Sequence, residues 1–120
     1  MEESILNSIK LLLGITSDNE DFDQIILMHI NTAFALLHQL GVGPSEGFMI
    51  DDKSNTWGEF TQDKPRLSSV KTYVYQRVKL DFDPPTAGSL LEALNSSVTE
   101  LGWRLKVEAE TIREEEIQNG

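Results

Sequence analysis

The 120-residue chain contains no cysteine. That absence excludes a disulfide-stapled scaffold, thiolate zinc sites and thiol catalysis, and gives no sign of an oxidising compartment. Long apolar runs are missing as well: none approaches the roughly 18 residues of a membrane span. Cations are scarce, with ten Lys and Arg against twenty Asp and Glu, for a formal net charge of −10. Broad binding to a phosphate backbone needs the opposite balance. The opening Met1-Glu2-Glu3 is acidic where a signal or transit peptide is basic. Gly-rich phosphate loops, nucleophile elbows and zinc-protease motifs are also lacking. The expectation is a soluble protein made in the cytoplasm, with no cofactor, no metal and no membrane partner.

What is present is the composition of a folded chain. Hydrophobic residues make up 39%, and the eight glycines bring the apolar share to about 46%, the ordinary globular range. Acidity therefore does not mean disorder here. A single domain, 1–120, is the expected organisation, large enough to bury its own core.

Hydrophobic spacing predicts an all-α fold: a four-helix, bundle-like domain with a long C-terminal helix and a hairpin-like loop between helices two and three. Glu3 to Leu13 carries apolar residues at 5, 6, 9, 12 and 13, and Gly14 fits the left-handed position that ends many helices. Ser17 or Asp18 is expected to cap a second helix, with Glu20, Asp21 and Asp23 in its first turn, where the dipole favours negative charge. Its stripe runs Phe22, Ile25, Ile26, His29, Ala33, Leu36, Leu37 and Leu40, and Gly41 supplies a stop.

Residues 41–65 are punctuated by glycine and proline, and Asp51, Asp52, Ser54 and Asn55 sit between Phe48-Met49-Ile50 and Thr56-Trp57. That grouping predicts a hairpin-like turn spanning Phe48 to Phe60. Pro65 opens a third helix with the stripe Leu67, Val70, Val74 and Val78, closed by Asp83-Pro84-Pro85. A fourth, capped by Asp83 or Thr86, reads Ala87, Leu91, Leu94, Val98, Leu101, Leu105 and Ile112, close to a seven-residue repeat. Running from about 86 to 116, it is roughly 46 Å long, against a radius of gyration near 14 Å for a compact chain of this size. Its charged end, Glu108 to Glu116, is therefore expected to leave the body.

Few residues are placed to carry chemistry, and none is assigned a catalytic role. His29 and His38 are nine apart on one helix, not at the i, i+4 spacing that shares a metal, and His29 lies in the apolar stripe. Glu20 and Asp23 form an E-x-x-D step of the kind used by all-α magnesium-dependent nucleotide pyrophosphatases. The E-x-x-E partner step is absent, and an octahedral magnesium site needs several converging oxygens. That enzyme reading is the weakest alternative.

The charge is unevenly divided. Lys64, Arg66, Lys71, Arg77 and Lys79 give residues 64–80 a charge of +5, leaving −15 elsewhere. These cations fall on both flanks of the Val70/Val74 stripe. Long basic side chains covering a buried edge and pairing with acids have that pattern, although Lys71, Arg77 and Lys79 can also line a passage for DNA in a ring. On the fourth helix, Trp103 and Val107 lie opposite the Leu stripe. Either the helix is buried on two faces, or the 41–65 loop covers the tryptophan, or Trp103 is an interface anchor. Phe48 and Trp57 pose the same question, and Glu114, Glu115 and Glu116 join them as interface candidates at the helix end.

The order of these features resembles a known family. A short helix, a long helix, a Gly-rich loop, Tyr73-Val74-Tyr75, Phe82-Asp83-Pro84-Pro85, a Leu-rich helix and Trp103-Arg104-Leu105 are similar to the tailed-phage head–tail connectors, the head-completion adaptors often found in prophages. The resemblance spans nearly the whole chain. It implies a structural, non-enzymatic subunit that assembles as a twelvefold ring under the portal and meets a stopper or tail-completion protein. DNA would pass through the ring without sequence recognition, and the protein would reside at the virion neck after synthesis in the host cytoplasm. A generic helical interaction or assembly factor is the alternative.

Overall fold

The computed structural model describes residues 3–119. Five helices follow one another: α1 (Ile5–Leu12), α2 (Asp23–Gln39), α3 (Trp57–Phe60), α4 (Lys64–Phe82) and α5 (Gly88–Asn119). The all-α expectation holds, with a one-turn helix added between the second and third predicted ones.

Both α1 and α2 end in the same way. Gly14 and Gly41 take positive φ, 84° and 82°. Beyond them, Ile15 N–H donates to the Lys10 carbonyl and Val42 N–H to that of Leu37. These are Schellman closures, which only a residue tolerant of the left-handed region makes cheaply. The start of α2 differs from expectation. The helix begins at Asp23, with Phe22 at the cap position and no side-chain cap bond, so Ser17, Asp18, Glu20 and Asp21 lie outside it. The reason lies in α1: the ammonium of Lys10, wholly buried, reaches the Ser17 carbonyl at 3.2 Å and the Asp23 carboxylate at 2.8 Å. Burying a cation requires such partners, and the 16–22 segment is folded around this one.

The core centres on α2 and α4, with α1 on one side, Val98, Leu105 and Ala109 of α5 on another, and Ile50, Trp57 and Phe60 between. Ile5, Leu6 and Ile9 meet Ile26, Ile30, Phe34 and Leu37, and Val70, Val74 and Val78 close the third side. The N-cap of α4 is Asp63, whose carboxylate accepts the Arg66 N–H at 3.2 Å, one residue before the proline-containing first turn. Neither Asp83 nor Thr86 caps α5: its first helical bond runs from Leu91 N–H to the Ala87 carbonyl.

The hairpin-like loop is not observed. Among the described residues there is no strand, only an isolated antiparallel bridge between Ser4 and Thr56. Side chains take the backbone groups that a ladder would need. Asn55 Oδ1 accepts the N–H groups of Asp51 and Asp52, and Asp52 accepts that of Ser54. Asn31, on α2, donates its amide N–H to the Ile50 carbonyl at 3.0 Å and accepts the Ile50 N–H at 2.8 Å. The chain then pairs with the N-terminal segment, Ile5 N–H to Asn55 carbonyl and Trp57 N–H to Glu3 carbonyl. Thr56 and Glu59 close a capping box around the single turn of α3. Hydrogen bonds from the Thr56 backbone and the Asn55 side chain hold the Glu59 carboxyl below the usual glutamate range.

α5 packs along α4, antiparallel to it. Gln76 donates to Ser97, Arg66 approaches Glu108, and the Tyr73 ring sits where Gly102 leaves room. A Cβ on Gly102 would lie 3.1 Å from that ring. Burial also pushes the Tyr73 phenol up from its ordinary value, against the opposing charge of Arg77. The longest dimension of the molecule, 48 Å, is about the length of this 32-residue helix at 1.5 Å per residue.

Candidate interaction surface

The two tryptophans lie in opposite environments. Trp57 is 1% exposed, and its indole N–H donates to the Ser8 hydroxyl at 2.8 Å. Trp103 is 65% exposed. Trp57 is therefore core in the folded subunit and not a surface anchor, because the capping box of α3 turns it inward under α1. Phe48 is half-buried in the same group, 4.9 Å from the Phe34 ring and 5.2 Å from Phe60, both edge-on. Such pairs contribute about 0.5–1.5 kcal/mol beyond their area. The loop candidates thus serve to anchor the loop.

The outer face of α5 is different. The helix buries Val98, Gly102, Leu105 and Ala109, with Leu91, Leu94, Leu101 and Ile112 half-buried beside them. Roughly opposite, at about 100° per residue, stand Trp103, the 37%-exposed Val107, Glu110 and Glu114. Neither the 41–65 loop nor a second helix of the chain covers this face. Glu100 and Arg104 form an exposed i, i+4 pair at 2.7 Å on its edge, an interaction worth only a few tenths of a kcal/mol. Glu115 and Glu116 are exposed with Ile117 at the helix end. The departure from the body comes later than expected: Ala109 is buried and Arg113 reaches Gly41 of the α2 stop, so the exposed end begins near Glu114.

The basic residues of α4 are largely engaged within the subunit. Lys71 pairs with Glu3 and lies 5.7 Å above the Trp57 ring. Lys79 pairs with Asp83 at 2.9 Å. Arg77 is half-buried beside Tyr73. Lys71 and Lys79 make ion pairs, as flanking cations do, whereas Arg77 covers an edge without one among the described residues.

The polar side chains around the main cleft and the two histidines are largely tied into local structure. A cleft of about 540 Å³ between α2, α4 and α5 is lined by His38, Asp63, Arg66, Arg113 and Glu116, among others. Asp63 is committed as a cap and His38 donates its Nε2–H to the Ser45 carbonyl at 3.0 Å. His29 is half-buried, 6.4 Å from the Phe82 ring. The Asp23 half of the E-x-x-D step is held by Lys10. No group of three or more His, Asp or Glu side chains converges as a metal site among the described residues. Nor is any helix long and apolar enough there to cross a membrane.

Sequence reasoning did not foresee a second surface. Leu12, assigned to the inward stripe of α1, is 51% exposed and Leu11 is 73% exposed. Leu12 helps to floor a groove of about 400 Å³ between α1 and α4, with Leu67, Ser68, Thr72 and Tyr75, rimmed by Lys64 and Lys71. The run Leu11-Leu12-Leu13 held the only hint, since three consecutive leucines cannot all face inward from one helix.

Residues 5–111 match the sequence model of a family described as "Phage connector protein". No curated protein and no solved structure matches the chain.

Proposed function

The chain belongs to the phage connector family, and we propose that it is a structural adaptor of the virion neck, assembling as a ring beneath the portal and joining the DNA-filled head to the stopper or tail. The observation that carries this reading is the division of α5. One face is sealed on α4, and the opposite face offers Trp103, Val107 and a row of carboxylates with nothing of the same subunit over them. A protein that works by contact with copies of itself and with neighbours needs such a face, because a few aromatic anchors carry most of an interface's energy. Catalysis has no part in the proposal.

The acidic balance suits a subunit placed around passing DNA. Carboxylates repel the phosphate backbone, whereas a cationic lining would retain it through counterion release. Duplex binding by the isolated protein is expected to be weak, and tight, salt-sensitive binding in a titration would overturn this part.

The direct test mixes the protein with portal rings and looks by electron microscopy for added density on the tail side. Added density in ring form is the expected result. Absence of binding, where a known adaptor binds, would sink the adaptor reading.

A further inference from the structure

The groove between α1 and α4 and the outer face of α5 lie on opposite sides of the α4–α5 layer. On α4, Arg66, Tyr73 and Gln76 face α5. Lys64, Ser68, Lys71 and Tyr75 stand about half a turn away, at 100° per residue. Trp103, Val107, Glu110 and Glu114 are likewise turned away from α4. A chain cannot bring its own α5 ridge to its own groove.

We infer that the α1–α4 groove of one subunit receives the Trp103–Glu114 face of α5 from a second copy. This rests on the adaptor reading above and names the two surfaces that meet. Three observations carry it. The first is charge: the groove is rimmed by Lys64 and by Lys71, which already pairs with Glu3, and the ridge bears Glu110 and Glu114. Lys64 makes no ion pair among the described residues. The second is length. Lys64 to Tyr75 and Trp103 to Glu114 are both twelve residues, eleven steps or about 16 Å of helix. Antiparallel docking sets Glu114 beside Lys64 and Trp103 beside Tyr75. The third is apolar content: the groove floor of Leu12, Leu67 and Tyr75 offers the cover that Trp103 and Val107 lack, in the manner of an amphipathic helix in a groove.

The register is shifted by about one helical turn from the one already made inside the subunit, where Tyr73 meets Gly102 and Gln76 meets Ser97. Each α4 is then held between its own α5 and its neighbour's. Because the two surfaces differ and point apart, the contact is heterologous and passes from copy to copy, closing into a ring when the rotation allows.

The cysteine-free sequence makes the test clean. T72C chains and V107C chains are mixed and oxidised, both alone and in the presence of portal rings. Thr72 lines the groove and Val107 lies on the ridge. The expected product is a disulfide-linked dimer of one T72C and one V107C chain, and a ladder from the double variant. No such link in either sample, or links only between identical single variants, overturns the pairing. Portal binding by the same chains is scored separately and tests the adaptor reading, so the two failures are distinguishable. Charge reversal gives a second readout: K64E or E114K alone weakens self-association about tenfold, and mixing the two variants restores the link between them. If neither reversal changes association, the pairing fails.

Discussion

The loop that holds Trp57 and the helix that holds Trp103 use the same residue type to opposite ends. In the loop, every device points inward: Asn31 clamps Ile50, Asn55 and Asp52 tie the turn, and the Trp57 indole is bonded to Ser8. On α5 the inward devices stop at one face, and the other keeps a tryptophan two-thirds exposed. A long stretch rich in glycine and polar residues is therefore rigid scaffold, while a regular helix carries the unsatisfied surface. Regularity of backbone and completeness of burial are separate properties here.

The sharpest way to break this comparison is to truncate both tryptophans. Trp57→Ala is expected to cost about 3–5 kcal/mol, the range for large aromatic residues removed from a core. Trp103→Ala should stay within about 0.5 kcal/mol in stability and weaken assembly. Urea unfolding of the two variants decides: similar losses would erase the distinction between scaffold and surface. Next in size is Asp23→Ala, which leaves the Lys10 ammonium buried with only a carbonyl. A loss of about 2–3 kcal/mol is expected, somewhat below that for fully buried pairs because Asp23 keeps 15% exposure. The same unfolding curves, read with and without compensating Lys10→Met, check it.

Smaller again, Asn31→Ala should cost about 1–3 kcal/mol by stranding both backbone groups of Ile50. Hydrogen exchange at the Ile50 amide should rise more than exchange within α5; equal protection would show that the loop does not depend on the clamp. The smallest effect is pH-dependent. The folded Glu59 carboxyl titrates below its unfolded value, so its contribution is present above the unfolded value and is lost as pH falls through the folded one. Below the usual glutamate range, lower protection at Thr56 and Glu59 relative to the intrinsic exchange rate is expected, and Glu59→Gln should flatten that response.

Much of this organisation was legible in the sequence, because helical periodicity and glycine stops are local signals. The ends at Gly14 and Gly41, the stripe of α4 and the two faces of α5 all follow from residues within a few turns of one another. The loop was misread for the opposite reason. Asp51, Asp52, Ser54 and Asn55 do mark a turn, but what they turn towards is Asn31 and the N-terminal segment, and no local pattern names a partner so distant. The burial of Lys10 has the same origin: only the fold brings Asp23 and the Ser17 carbonyl to it. Trp103 and Val107 stand on the face opposite the Leu stripe, as their spacing predicts, whereas the α1–α4 groove depended on Leu12 turning outward.

The bridge between Ser4 and Thr56 bears on timing. It joins segments about fifty residues apart, and closing a loop of that size costs on the order of 3 kcal/mol in chain entropy. During synthesis α1 has no seat for its N-terminal end until Thr56 and Trp57 have emerged, so its docking must wait for the loop. The antiparallel α4–α5 contacts, from Gln76–Ser97 to Arg66–Glu108, close somewhat shorter separations, and loop-closure cost grows only slowly with length. The N-terminal strap is thus a closure across the first half of the chain, complete in sequence before α4 and α5 have emerged, and protection at the Ile5 amide, which it locks to Asn55, reports on that closure.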